Sequence, residues 1–297
     1  MWTSFSPPAE LVALGAPFLV ALSNIVAGPF TARLGAVGFN LLRLCTAVAG
    51  MGLLVLCLGV SRTLPAGEAG ALVLSALVGL VLGDTATYAA LARIGARRTS
   101  LLYATNGAMA AALGYVLYGE TIAPSRLGGV VLVITGVWLA VAYRDGAGHG
   151  EGVAAHPTTG VLFALLGALG QAGGVLLARP VMAAGADPAL ASLVRLAAAL
   201  AIMLVLTATV PTMRPAVWPG PRAFMAGCVS GLLGTAAATS LVLLALQSGN
   251  SGVVATLAST TPIAMLIWLW IFTGRRPALP AWAGAALVVA GAAILVL

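Results

Sequence analysis

The sequence predicts an all-α integral membrane protein, built from ten transmembrane helices arranged as two inverted five-helix repeats. Three observations lead to this prediction. Of the 297 residues, 61% are hydrophobic and only 7% are charged, whereas soluble domains carry about 25% charged residues. Apolar runs of membrane-spanning length recur along the whole chain, and motifs in its two halves match each other. The composition excludes a soluble globular fold.

A bilayer core about 30 Å thick requires roughly 20 apolar residues per helix. Cutting the chain at charged residues, prolines and glycine clusters yields ten segments of about that length. They are 10–31, 36–59, 69–92, 98–117, 125–143, 158–179, 188–209, 223–246, 252–272 and 280–297. The first ten residues lack a basic stretch and a cleavage motif of small residues, so we expect the first segment to remain as a span rather than be removed as a signal peptide.

The chain divides into two halves of five spans each. A polar stretch from Arg144 to Pro157 separates them, so the predicted domains are a first repeat at 1–143, a linker at 144–157 and a second repeat at 158–297. Several short motifs match at an offset of about 150 residues. The matched pairs include Arg43 with Arg195, Gly83-Asp84 with Gly234-Thr235, Gly129 with Gly284 and Gly136 with Gly291. Because five is an odd number, the second repeat would enter the membrane in the opposite orientation.

Inverted repeats imply alternating access, in which the two halves exchange open and closed conformations. Substrate sites in such proteins lie near the bilayer midplane, beside helices that glycine or proline interrupts. Two matched pairs of such interruptions occur here, Gly83-Asp84 with Gly234-Thr235 and Asn106-Gly107 with Thr261-Pro262. We therefore expect the substrate site to lie between these positions.

These motifs resemble those of EamA-type ten-span transporters in the drug/metabolite transporter superfamily. The stretches that carry the resemblance are Gly83-Asp84-Thr85, Ala90-Leu91, Ile94-Gly95 and Gly119-Glu120-Thr121 in the first half, and Ala245-Leu246, Gly249 and Pro262 in the second. The chain departs from the pattern at Gly107, where a proline is expected, and at Gly274-Arg275-Arg276, where Gly-Glu is usual. Both departures concern helix breaks or helix ends and therefore local gating.

The resemblance implies a secondary transporter or exporter of small metabolites. We expect the protein to lie in a bacterial-type inner membrane. It also implies that spans 1–4 and 6–9 surround a central cavity, while spans 5 and 10 pack at the periphery. The family's substrates include amino acids, other metabolites and drugs, so the motifs do not identify the substrate.

Asp84 lies near mid-depth in the third predicted span, on one helical face with Thr87 and Tyr88. An ionisable residue at that depth costs a few kcal/mol, so it faces a cavity or a partner. One interpretation is a site for a substrate amine or a coupling proton. The other is a structural acid that pairs with an arginine or caps a broken helix.

Arg43 and Arg195 are matched between the repeats, each about two turns into its span. Their planar guanidinium groups suit a substrate carboxylate or phosphate, or a pair of opposed gates near the two membrane faces. The alternative is that the side chains snorkel to the headgroups or seal a helix C-terminus.

The other candidate pore residues are polar side chains within the spans. We expect them to line a moderately polar cavity, although each is also a candidate for an interhelical hydrogen bond. They are Asn24, Tyr88, Tyr103, Asn106, Gln171, Thr235 and Thr260.

The favoured function is therefore secondary active transport of a small polar or zwitterionic metabolite, plausibly an amino acid, by a monomer or a homodimer, with protons as a candidate coupling ion. A flippase for a phosphate-bearing lipid or lipid-linked carrier is the alternative, and a passive channel is a third.

An enzyme is disfavoured because Gly249-Asn250-Ser251-Gly252, which superficially matches an intramembrane serine protease motif, has no intramembrane histidine to activate it. No cofactor, metal or ATP is predicted, since P-loop and metal-ligand spacings are lacking. Nucleic acid is not an expected partner, because the arginines lie mostly between apolar runs.

The distribution of loop arginines and the family resemblance imply opposite orientations in the membrane. Nine loop arginines fall on one membrane face and three on the face that holds both termini. The positive-inside rule would place both termini outside, whereas the family resemblance implies that both are cytoplasmic.

Overall fold

The protein is described here by a computed structural model, which describes residues 9–59, 66–119, 124–142, 157–215, 219–247, 251–258, 260–274 and 279–296. Within these ranges the ordered elements are all helical. The α-helices are α1 Ala9–Leu58, α2 Ala66–Ala76, α3 Asp84–Tyr103, α4 Asn106–Tyr118, α5 Pro124–Ala142, α6 Pro157–Ala183, α7 Pro188–Thr209, α8 Pro221–Val229, α9 Ala238–Leu246, α10 Ser251–Ala258, α11 Thr261–Thr273 and α12 Leu279–Val296. Two π-helical segments, Leu77–Gly83 and Ser230–Ala237, precede α3 and α9, and a 3-10 turn, Pro211–Met213, follows α7. The predicted linker lies outside the described residues, except Pro157, where α6 begins.

Six helical stretches among the described residues are long and apolar enough to cross a membrane. They are Leu11–Thr31, Arg33–Leu58, Gly67–Gly95, Thr158–Ala183, Pro188–Thr209 and Pro221–Leu246. They coincide with predicted spans 1–3 and 6–8. The other four predicted spans coincide with shorter helical stretches: the end of α3 with α4, α5, α10 with α11, and α12. The chain is thus a multi-pass membrane protein.

Two predicted connections are far tighter than expected. The sequence places loops at about residues 32–35 and 93–97, but the helices meet there at single glycines, Gly35 with φ 75° and Gly95 with φ 77°. Only glycine adopts positive φ readily, because it lacks a Cβ. A single residue therefore replaces a polar loop at each position.

Helix interruptions occur where the sequence predicts them. One π-helical segment ends at Gly83, next to Asp84, and the other contains Gly234 and Thr235. Likewise, Ala104 and Thr105 form a turn before α4, and Thr260 lies in a turn before α11. The two halves therefore carry the same kinds of irregularity in the same order.

Glycine stripes bring the first-half segment Leu77–Gly83 against α6 of the second half. A Cβ at Gly170 would lie 2.7 Å from the Cα of Gly83, and one at Gly174 would lie 2.8 Å from the Cα of Gly79. These distances are shorter than a carbon–carbon contact, so only glycines permit this approach. The contact aligns Asp84 and Gln171 along neighbouring helices.

Helices α5 and α12 pack against each other through matched glycines. A Cβ at Gly136 would lie 2.6 Å from the carbonyl oxygen of Gly284, and a Cβ at Gly291 would lie 2.7 Å from that of Gly129. The contact is reciprocal, since each helix presents the same pair of positions to the other. No described residue of either helix lines the cavities discussed below.

We predict that Gly136→Ala lowers the thermal stability of the purified protein. The methyl group would meet Gly284 and Leu287 on α12, and overpacking of this kind costs about 1–3 kcal/mol. Fluorescence-detected size-exclusion chromatography after heating measures the shift. Gly128→Ala on the same helix is the control, because a Cβ there meets nothing within 4 Å. Equal melting temperatures for the two variants would contradict this packing.

Candidate substrate site

Two small adjoining cavities lie between helices of both halves. The Asp84 cavity is lined by Asn24, Arg43, Asp84, Tyr88 and Thr235, with Ser23, Thr87, Thr99 and Ser100. The Arg195 cavity is lined by Asn106, Arg195, Ala172 and Val175, with Ala16, Ala238, Val242 and Ala258. Both cavities share Val20, Tyr103, Gln171, Gly234, Thr239 and Thr261. Each has a volume of about 60 Å³, which is room for on the order of five water-sized groups.

A buried ion pair lies at the edge of the Asp84 cavity. The Nη2 atom of Arg43 on α1 is 2.5 Å from Oδ2 of Asp84 on α3. The Nη1 atom of the same guanidinium donates to the Thr235 hydroxyl at 2.6 Å. Arg43 is only 4% exposed, so its charge depends on these partners rather than on water. One side chain thus joins both halves of the chain.

Asn40 supports the ion pair from one helical turn away. Its Oδ1 accepts a hydrogen bond from Arg43 Nη2 at 2.8 Å. Its Nδ2 donates to the Leu80 carbonyl at 3.1 Å and to the Thr85 hydroxyl at 2.9 Å. The π-helical segment therefore supplies a backbone acceptor to the network as well as positioning Asp84.

Tyr88 covers the other side of Arg43. The Arg43 Cζ atom lies 5.0 Å from the Tyr88 ring centroid, which is cation–π distance. Phe39 holds the Tyr88 ring in an edge-on contact at 5.2 Å. Arg43 is consequently restrained by an acid, a hydroxyl, an amide and an aromatic face.

Arg195 has a different environment from its repeat mate. The side chain of Asp187 caps the N-terminus of α7 by accepting from the backbone nitrogens of Ala189 and Leu190, and Arg195 lies two turns further along this helix. It is 2% exposed, and no hydrogen bond or ion pair joins it to any residue that the structure describes. Its guanidinium faces the Arg195 cavity.

The snorkelling interpretation is wrong for both arginines, because each guanidinium is buried inside the protein. Asp84 pairs with Arg43. Pairing with an arginine is one of the interpretations that the sequence leaves open for Asp84.

Nine of the ten predicted site residues line the two cavities, and Thr260 does not. The Thr260 hydroxyl donates to the Leu257 carbonyl at 2.8 Å, closing the turn before α11. The next residue, Thr261, lines both cavities instead. The predicted helix break at Thr261-Pro262 was the signal that could have identified it.

Sequence reasoning also missed Ser23. Its hydroxyl hydrogen-bonds to that of Ser230 at 2.7 Å, which joins α1 to the second π-helical segment. A lone serine in an apolar span gives no signal of such a partner 207 residues away.

A much larger outer cleft lies beside the two cavities. It has a volume of about 1250 Å³ and is lined mainly by apolar residues of α1, α3, α6 and α7. Arg33, Arg93 and Arg214 are its charged lining residues, and all three belong to the face predicted to carry nine arginines. Leu82 in its wall is 58% exposed, so the cleft opens at the protein surface. Thr85 lines this cleft while the adjacent Asp84 lines the cavity.

The model of the EamA-like transporter family matches residues 7–142 and again residues 158–297. The chain belongs to the EamA-like transporter family. This family is part of the drug/metabolite transporter superfamily, and its members are transporters rather than enzymes. As an EamA-like transporter, the protein sits in membrane lipids and binds small-molecule substrates.

Solved structures support the same fold. Twenty-eight chains of known structure are significantly similar to this one. Among them, a crystal structure of a protein shares 19% sequence identity, with a TM-score of 0.74 over 96% of this chain and 95% of that chain. At this identity the likeness concerns the fold alone. Comparison with curated protein sequences finds no significant match.

We predict that Arg43→Gln and Asp84→Asn each lower the melting temperature of this EamA-like transporter, and that the double variant is more stable than either single variant. Removing one partner of a buried ion pair leaves an uncompensated charge and costs about 3–5 kcal/mol. The double variant removes both charges. A double-mutant cycle of melting temperatures in detergent checks this. Additive losses would show that the pair is not coupled.

Proposed function

We propose that the protein is a secondary active transporter that moves small polar metabolites, plausibly amino acids, by alternating access across a bacterial-type inner membrane. The main support for this proposal is the pair of buried polar cavities that helices of both halves enclose. A cavity of this kind suits a small solute with polar groups rather than a large apolar one. Export is the favoured direction by family resemblance.

An inverted-repeat architecture of two five-span halves underlies this mechanism. Three features support it: the matched π-helical segments, the matched turns before α4 and α11, and the reciprocal glycine contact between α5 and α12. A reciprocal contact is what a two-fold axis between the repeats would produce. In such a fold, the two halves can exchange conformations and open the site to each membrane face in turn.

The Arg43 network acts as a gate between the outer cleft and the central cavities. It connects Thr85, which lines the cleft, through Asn40 and Arg43 to Asp84, which lines the cavity. With these bonds formed, the network lies between the outer cleft and the Asp84 cavity. Opening toward the cleft would require the Arg43–Asp84 contact to separate.

Asp84 is the candidate coupling site. Its negative charge holds Arg43, and protonation would remove that charge and weaken the contact. A proton gradient could then drive the gate. Among the seven acidic residues, Asp84 alone lies deep within a predicted span, since the other six lie at helix ends or in predicted loops.

The test is uptake of a panel of amino acids and organic acids into proteoliposomes, with and without an imposed pH gradient. We predict uptake above that of empty liposomes, and stimulation by the gradient. Asp84→Asn should abolish the stimulation but leave exchange between internal and external substrate measurable, because the side chain can no longer gain or lose a proton. Arg222→Gln, at an exposed position outside the cavities, is the control. Gradient-driven flux that is unchanged in Asp84→Asn would remove this residue from coupling.

A flippase for a phosphate-bearing lipid is the second candidate, and the outer cleft favours it. An apolar cleft with three arginines in its lining suits an amphipathic anion with an acyl tail and a charged headgroup. The same proteoliposomes distinguish the two functions. Translocation of a fluorescent phospholipid, without uptake of any solute in the panel, would favour the flippase.

A further inference from the structure

The central cavities contain more positive than negative charge. Arg43 and Arg195 line them together with a single acid, Asp84, among the residues that the structure describes. Asp84 is already bound to Arg43 at 2.5 Å. Among the described residues, no ion pair joins Asp84 to Arg195. One positive charge therefore remains without a contacting counter-ion.

The repeat explains why this charge is uncompensated. Asp84 of the first half matches Thr235 of the second, so the second half lacks the acid that its own arginine would need. Thr235 instead accepts a hydrogen bond from Arg43 of the first half at 2.6 Å. Arg43 therefore contacts both Asp84 and Thr235, whereas Arg195 contacts neither of these residues.

Gln171 adds a second unsatisfied group beside Arg195. Within the described structure, three buried side-chain atoms lack a hydrogen-bond partner: Gln171 Oε1, Arg195 Nε and Arg43 Nε. Arg43 still binds Asp84, Asn40 and Thr235 through its Nη atoms. The side chains of Gln171 and Arg195 converge near Gly79: a Cβ there would lie 3.4 Å from Arg195 Nη2 and 3.6 Å from Gln171 Oε1. A buried unpaired donor and a buried unpaired acceptor are each costly unless a ligand satisfies them.

We infer that Arg195 and Gln171 form the substrate subsite for the two charged groups of a small α-amino acid. Arg195 binds the carboxylate, and the Gln171 oxygen accepts from the ammonium group. The small cavity volume restricts the side chain to a short one. Arg43, by contrast, is a positioning and gating residue whose charge Asp84 neutralises. This assignment rests on the proposed transport function and names the residues that determine its specificity.

Binding to the purified full-length protein in lipid nanodiscs tests the subsite, with four probes. These are L-alanine, L-alaninamide without the carboxylate, propionate without the amine, and ethylamine without the carboxylate. We expect the wild type to bind L-alanine at least tenfold more tightly than L-alaninamide. Arg195→Gln should weaken L-alanine binding by about 10- to 100-fold, as expected for a lost charge-assisted hydrogen bond, and should abolish the preference over L-alaninamide. Arg222→Gln should retain both the wild-type affinity for L-alanine and the preference for L-alanine over L-alaninamide.

Gln171→Glu provides a test that does not depend on loss of folding. The new carboxylate would supply Arg195 with an internal counter-ion at nearly the same volume. We expect this variant to melt at a higher temperature than the wild type and to bind L-alanine at least tenfold more weakly. A lower melting temperature with intact L-alanine affinity would overturn the inference.

Transport distinguishes failure of the subsite from failure of the function. If the wild type transports L-alanine and Arg195→Gln keeps the same KM and the same preference over L-alaninamide, the subsite is wrong and the proposed function stands. If the wild type binds none of the four probes but transports another solute, the subsite is also wrong. If the wild type transports no solute at all, the proposed function itself is refuted.

Discussion

The ion pair between Arg43 and Asp84 is the interaction on which the central region depends. A guanidinium that is 4% exposed in an apolar helix bundle requires an anion, and Asp84 supplies it. Through Asn40 and Thr235, the same guanidinium contacts the first π-helical segment and the second half of the chain. Its geometry therefore couples the position of α1 to that of α3 and of the segment Ser230–Ala237.

The irregular helices make this arrangement possible. A π-helical turn shifts the register of the residues that follow it, and such turns are frequent at functional sites. Here one ends directly before Asp84, and the other places Thr235 within reach of Arg43. Glycines at 79, 83, 170 and 174 then let the first π-helical segment approach α6 closely enough for Gln171 and Arg195 to share a cavity. Backbone irregularity and close packing thus determine which polar groups meet.

The sequence predicted much of this, and its failures have physical causes. Ionisable and amide side chains in apolar spans must face the interior, which is why Arg43, Asp84, Gln171 and Arg195 were identifiable. Their pairing was not, because it depends on helix rotation and on a 41-residue separation that a periodic pattern does not encode. Thr260 lies outside the two cavities because a turn directs its hydroxyl to the Leu257 carbonyl. The single-glycine connections at Gly35 and Gly95 were missed because span prediction assumes a polar loop between helices.

Counterflow distinguishes alternating access through a shared site from passive flow through a channel. Proteoliposomes containing the purified protein are loaded with unlabelled L-alanine and diluted into a trace of labelled L-alanine, with no ion gradient. Alternating access predicts transient accumulation of label above its external concentration, because loaded sites return faster than empty ones and exchange label inward. Simple equilibration at the same rate in loaded and empty vesicles would indicate a channel and contradict alternating access.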